Sequence, residues 1–246
     1  LITHFHGDHF LGLSGLIQTM ALNDRKEPLE IFGPKGTVKL VHDLLSLGVF
    51  GANFELRVRE LGDNAVLQYE GYRITVRSAE HGIECLAFAV EEALRPGKFN
   101  KDKAIALGIP EGPLYSRLQA GKTITLDGRT ISPDMVLGAP RKGRKIVYAA
   151  DTKPCDAVVE LAKDCDVLIH DATLTSEHEQ KAYEFGHSTA KQAAEIAKRA
   201  NARTLFLVHL SPRYEEDSAL EAEARTVFPE SYAAKDLMVY EVKYRD

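Results

Sequence analysis

The sequence predicts an α/β sandwich, and three observations carry that reading. Strand-like and helix-like stretches alternate along the 246 residues, the pattern of layered α/β domains. Stretches such as 85–90 and 205–208 are nearly continuous apolar runs, as strands covered on both faces are. The densest cluster of chemically active side chains, His4-Phe5-His6-Gly7-Asp8-His9, directly follows an apolar opening, Leu1-Ile2.

That opening sets three imidazoles and a carboxylate in six positions. Imidazole nitrogen and carboxylate oxygen are ligands of borderline divalent metals such as zinc. Extended backbone leaving Thr3 places His4 and His6 on one side, because strand side chains repeat every two residues. Gly7 permits a sharp turn, so Asp8 and His9 can face a second nearby point. One short loop can therefore feed two metal ions. Apolar residues at 10, 11, 13, 16, 17, 20 and 21 predict a helix over 10–21. Residues 29–32 read as a strand, 33–36 as a turn, and Thr37 as the cap of a helix running to about 46 and ended by Gly48. Residues 54–58 and 72–76 alternate as half-buried strands. His81 stands just past the second of these, ahead of the buried strand at 85–90.

Residues 93–113 differ in character. Three Pro and three Gly flank a short amphipathic piece at 100–107, with Arg95, Lys98, Lys101 and Lys103 against Asp102 and Glu111. Such a segment is no core element of a sandwich. It is a solvated loop or a projecting basic arm that grips a phosphate backbone. A helical turn is expected at 114–118, and a strand at 123–126 enters a hairpin turn at Asp127-Gly128. Arg141, Lys142, Arg144 and Lys145 then place four basic residues in five positions. They lead into a strand at 146–150 that ends in Asp151-Thr152, so the basic cluster is expected close to the metals, where it favours a polyanionic substrate. A buried strand at 166–170 runs into His170-Asp171-Ala172-Thr173. In Gly186-His187-Ser188-Thr189, Ser188 or Thr189 can cap a helix over 190–200. The strand at 205–208 delivers His209, and a helix near 216–226 and a last strand at 237–242 close the chain.

Composition narrows the function. Lys plus Arg is 31 and Asp plus Glu is 36, a net charge of −5, so nucleic-acid binding must come from local patches. A chain of this length can bury roughly 70–75% of its unfolded surface. The three cysteines, Cys85, Cys155 and Cys165, form no CxxC and read as buried or free thiols of a reducing, cytoplasmic setting. No apolar run reaches the ~18 residues of a membrane span, and no signal peptide precedes the motif.

The H-x-H-x-D-H string resembles the signature of the metallo-β-lactamase fold, a four-layer αββα sandwich with a two-metal site. That resemblance implies strands ahead of the motif, so the N-terminal strands are expected to be missing here. It also implies one metal held by His4, His6 and His81, a second by Asp8, His9 and His209, and Asp151 spanning both. The chain as a whole resembles the ribonuclease Z family, tRNA 3′ endonucleases. The residues that carry this are the Gly/Pro-bounded arm at 93–113, the basic loop Pro140-Arg141-Lys142-Gly143-Arg144, and the strings His170-Asp171-Ala172-Thr173 and His187-Ser188-Thr189. Two positions depart from the family pattern: Asp171 stands where Glu is usual, and Ala149-Ala150 where a Ser/Thr-Gly pair is usual.

The resemblance implies two Zn2+ per subunit, ~3.5–4 Å apart, and attack of a shared hydroxide on a phosphodiester of precursor tRNA that leaves a 3′-hydroxyl. It assigns Asp8 to orienting the hydroxide and accepting its proton. His187, oriented by Asp171, is our candidate acid for the leaving 3′-oxygen. Arg95, Lys98, Lys101, Lys103, Arg141, Lys142 and Arg144 are the candidate RNA contacts. The family implies a homodimer. The expected layout is a single domain over 1–246 carrying the arm at 93–113. The alternative function is a hydrolase of a small phosphodiester, thioester or lactone on the same fold.

Overall fold

The structure, a computed structural model, describes residues 1–48 and 51–245. The first residues run extended, tied to neighbours on both sides: Ile2 N donates to Phe32 O (2.7 Å) and Leu86 N to Thr3 O (2.9 Å). Then come α1 (Gly7–Phe10), α2 (Leu13–Leu22), β1 (Leu29–Gly33), α3 (Thr37–Ser46), β2 (Leu56–Glu60), β3 (Val66–Tyr69), β4 (Tyr72–Ala79) and β5 (Cys85–Glu92). The next stretch holds α4 (Lys101–Ala106), α5 (Pro113–Gln119), β6 (Ile124–Leu126) and β7 (Arg129–Ile131). The chain continues through β8 (Lys145–Ala149), α6 (Asp156–Ala162), β9 (Val167–Asp171), α7 (Glu179–Phe185), α8 (Ala190–Arg199), β10 (Thr204–Val208), α9 (Ser218–Arg225) and β11 (Ser231–Ala233).

These elements form two compact units. One comprises Leu1–Glu91 and Lys145–Val242; the other comprises Glu92–Arg144 with the described residues from Lys243 onward. In the first, seven strands form one sheet in the order β11-β10-β9-β8-β5-β4-β3, while β1 and β2 pair separately and in parallel. Strand β5 shows why its apolar run is unbroken. Ala87 and Ala89 pack with Val147, Leu168, Leu205, Val158 and Ile196, whereas Leu86 and Phe88 pack with Phe32, Ile74 and Val76. Successive side chains point to opposite faces, so helices α6, α8 and α9 cover one face and the β1–β2 pair covers the other. A further cluster of Ile17, Ile31, Val41 and Phe54 joins that pair to α2 and α3. The resulting succession of helices, strands, sheet and helices is the αββα sandwich that the family resemblance implies.

Helix α8 forms where expected. Thr189 Oγ1 accepts from Gln192 N, and the Gln192 side chain accepts from Thr189 N, a reciprocal cap. Other expectations need correction. The helix expected over 10–21 is two, because the chain breaks its helix at Leu11-Gly12 between α1 and α2. The turn after His6 is the first turn of α1 and needs no conformation special to glycine. Thr37 lies inside α3; Gly36, at φ 97°, holds the capping position. The closing strand is β11, not 237–242: the alternation there is real, but the stretch takes no strand conformation and Leu237 and Val239 are 99% and 92% exposed. Periodicity also gave no warning of β3, α6 and α7.

The second unit has its own core of Ala104, Ile109, Leu118, Ile124, Ile131 and Val136. The hairpin of β6 and β7 turns at Asp127-Gly128, as the sequence indicates. Segment 93–113 is the first part of this unit. Gly97 passes so close to its neighbour that a Cβ there would lie 1.9 Å from Gly138 O. Among the described residues no helix is long and apolar enough to cross a membrane. The three cysteines are buried and none forms a disulfide.

Candidate metal centre

The first unit gathers the His and Asp side chains at the ends of its extended segments. His4 Nε2 and His81 Nε2 each lie 3.1 Å from His6 Nδ1. The same two atoms lie 3.6 and 3.9 Å from Asp151 Oδ2. On the other side of that carboxylate, His9 Nε2 and His209 Nε2 sit 3.3 and 3.4 Å from Asp151 Oδ2, and 3.3 and 3.7 Å from Asp8 Oδ2. Two groups of three donors thus share one carboxylate oxygen.

The spacing suits metal. Nitrogen and oxygen donors bound at ~2.0–2.2 Å around a tetrahedral ion stand about 3.3–3.6 Å apart, and these separations centre on that value. The protein itself leaves atoms here unanswered: buried His9 Nε2 and Asp151 Oδ1 make no hydrogen bond. Unpaired buried polar atoms are costly, and a divalent cation would satisfy both the imidazole lone pair and the carboxylate. Asp151 (φ 56°) and His209 (φ 59°) also hold left-handed backbone at the ends of β8 and β10, conformations that cluster at functional sites.

Hydrogen bonds set the tautomers of His81 and His209. His81 Nδ1 donates to Gly186 O at 2.8 Å, which leaves the Nε2 lone pair pointing inward. Thr173 Oγ1 donates to Asp171 Oδ1 at 2.7 Å and so accepts from His209 Nδ1 at 2.9 Å. His209 Nε2 is thereby freed as well. His4 Nδ1 faces Thr3 Oγ1 at 3.0 Å. Burial, then the neighbouring His9, His81 and His6, push the His4 pKa down to about 3, so it is neutral at pH 7. Burial likewise lowers His81 and raises Asp151. At Asp8 burial works the other way, but its own backbone amide, His9 and His209 outweigh it and hold the carboxyl below its usual range.

Asp171 is fully buried and answered on every side. Its Oδ2 accepts from Thr152 N (3.0 Å) and His187 Nδ1 (2.8 Å), and its Oδ1 from Thr173 N (3.0 Å) besides the Thr173 hydroxyl. The His187 ring stacks on His209 at 4.9 Å and 18°. Burial opposes charge on His187, but the Asp171 bond and charge prevail and raise its pKa above the ordinary 6.5.

The structure brings together His4, His6, Asp8, His9, His81, Asp151, Asp171, His187 and His209. It places Arg95, Lys98, Lys101, Lys103, Arg141, Lys142 and Arg144 in the second unit. Several of these have partners inside that unit. Arg144 forms a two-pronged ion pair with Glu92, which holds the Glu92 pKa down at about 2. Arg95 lies 3.5 Å over the Tyr244 ring, Lys101 pairs with Glu111 at 2.6 Å, and Arg141 Nε donates to Pro96 O.

Two supporting residues escape sequence reasoning. Thr173 closes the His-Asp-Ala-Thr string and reads there as a strand end, yet its hydroxyl links Asp171 to His209. Thr173→Val should cost about 10–100-fold in metal affinity, the usual worth of such a partner, measured by chelator competition. Gly186 holds φ 82° at the end of α7, and a Cβ on it would lie 2.7 Å from His81 Nδ1. Gly186→Ala should displace His81 and lower the affinity by a similar factor.

A family profile described as a beta-lactamase superfamily domain matches residues 120–210. Ribonuclease Z of Archaeoglobus fulgidus is 46% identical over 245 residues, covering 99% of this chain and 80% of the relative; that of Methanosarcina acetivorans is 44% identical with the same coverage. The chain belongs to the ribonuclease Z family. Within solved structures, this ribonuclease Z family chain is similar to the short form of human tRNase Z, with a TM-score of 0.66, 26% identity, and coverage of 98% of this chain and 78% of that one. A metallo-beta-lactamase fold protein from Bacillus subtilis matches at a TM-score of 0.60 and 20% identity, covering 93% and 70%, and shares the fold. The αββα layering is therefore that of the metallo-β-lactamase fold, and the family makes the chain a hydrolase of the ribonuclease Z type.

Proposed function

We propose that this chain is a zinc-dependent endoribonuclease that removes the 3′ trailer from tRNA precursors and leaves a 3′-hydroxyl on the tRNA. The observation that carries this is the sharing of Asp151 Oδ2 by two separate groups of inward-facing donors. The names of its relatives supply the substrate. In this reading His4, His6 and His81 would hold one Zn2+ and Asp8, His9 and His209 a second, with Asp151 available to both. When bound, such ions offset charge on a transferring phosphoryl group and lower the pKa of water toward ~7.

The chain's own residues do the rest. Asp8 is ionised and 66% exposed, so it can accept the proton of the attacking water. His187, whose pKa the Asp171 bond and charge raise against the pull of burial, gives a proton to the 3′-oxygen as its bond to phosphorus breaks. The basic residues of the second unit hold the RNA backbone, and buried cysteines outside any disulfide suit a reducing, cytoplasmic setting. The resemblance also implies a homodimer.

The test is incubation with a 3′-extended tRNA, with and without chelator. Cleavage at the tRNA 3′ end, lost on chelation, is expected. Turnover of a thioester or lactone panel with no attack on the precursor would favour the small-substrate alternative. Lys98→Gln with Lys103→Gln should weaken precursor binding and flatten its salt dependence by ~0.7–0.9 in log–log slope for each phosphate no longer neutralised. Hydrolysis of bis(p-nitrophenyl) phosphate should persist; equal loss of both activities would make these lysines structural.

A further inference from the structure

We infer that Lys153 and Tyr183 form a subsite for an unpaired nucleotide beside the scissile phosphate, the tyrosine ring stacking on its base and the lysine meeting its phosphate. This rests on the reading of the site as a ribonuclease. The Lys153 Nζ lies 3.8 Å from the centroid of the Tyr183 ring. Tyr183 is 64% exposed, so its ring is open to a ligand from solvent.

Three short tethers hold this pair to the metal centre. Lys153 is two residues beyond Asp151, and its N–H donates to Glu80 O (2.7 Å), next to His81. Tyr183 O accepts from Gly186 N, whose own carbonyl binds His81, and His187 N donates to Ala182 O. Of the α7 side chains near this end, Ala182 is the buried one, so Tyr183 lies on its flank. Phe185, equally exposed, lies about 200° further round the helix and does not share the lysine.

The chemistry points to RNA. Among the described residues the Lys153 ammonium meets an aromatic face and no carboxylate, so its charge is available to an anion. A cation beside an exposed aromatic ring is the pairing that single-stranded nucleic acid favours, because every base has a stacking face. The ends of a tRNA precursor around the cleavage point are unpaired, so a base there can reach such a ring.

A double-mutant cycle tests this. Cleavage of 3′-extended tRNA is compared with substrates abasic at the last tRNA nucleotide or at the first trailer nucleotide. Tyr183→Ala should lower kcat/KM on the intact precursor by about 5–100-fold, the worth of one stacked base. Most of that penalty should vanish on one of the abasic substrates. Tyr183→Phe should restore the rate, and Lys153→Met should reduce the salt slope by ~0.7. The same Tyr183→Ala penalty on all three substrates, or none on the intact one, would overturn the subsite while leaving the nuclease reading standing. Failure of the unaltered protein to cleave any precursor would remove both.

Discussion

Asp151→Ala should lose most of its bound metal, and with it nearly all hydrolysis. One oxygen of this carboxylate stands within 3.3–3.9 Å of His4, His81, His9 and His209 nitrogens, so its removal opens both sites together. Loss of a partner behind a ligand costs ~10–100-fold in metal affinity; loss of a shared ligand should cost more. Asp151→Asn keeps the shape and tolerates the left-handed backbone, and should fail in the same way. The stability of the metal-free proteins separates ligand from structural residue. Burial raises the Asp151 pKa and its Oδ1 makes no hydrogen bond, so without cations the carboxylate is an expense to the fold. Metal-free Asp151→Asn should therefore unfold at a temperature no lower than the metal-free parent. Near-stoichiometric zinc in either variant would contradict the bridging role.

His187→Ala should keep its metal but lose about 10²–10⁴-fold in cleavage rate, the usual contribution of a general acid. The pH dependence follows from the sign of its shift. Asp171 raises the His187 pKa above 6.5 against the pull of burial, so the proton to be donated persists to higher pH. Activity should fall as pH rises through that raised value, and Asp171→Asn should move the fall toward lower pH. Stability has the same sign: the His187–Asp171 contribution is whole below ~6.5 and fades as pH rises through the folded value. A rate and alkaline limb unaltered by His187→Ala would remove this residue from the chemistry.

How much of this was legible in the sequence differed by residue. The opening string was legible because its donors are local: His4, His6, Asp8 and His9 lie within one extended segment and one helical turn. His81, Asp151 and His209 were legible as residues just past strands, but only family resemblance joined them to the string. The role of Thr173 could not be read, since it depends on β9 and β10 lying side by side, which joins residues 36 positions apart. Gly186 was hidden likewise: a glycine ending a helix is ordinary, and the approach of His81 that makes it necessary is tertiary. In the fold, buried strands and the α8 cap declared themselves through local pattern. The stretch 237–242 had the alternating pattern but joins no sheet, its Tyr240 ring packing instead against Phe206, and the compact unit from Glu92 to Arg144 is defined by a core that Pro and Gly content does not reveal.

Anomalous scattering at the zinc edge from crystals of the zinc-loaded protein asks most directly whether these residues hold two ions. Two peaks are expected, ~3.5–4 Å apart, one among His4, His6 and His81, the other among Asp8, His9 and His209, with Asp151 between them. A single peak, or zinc bound away from Asp151, would contradict the account.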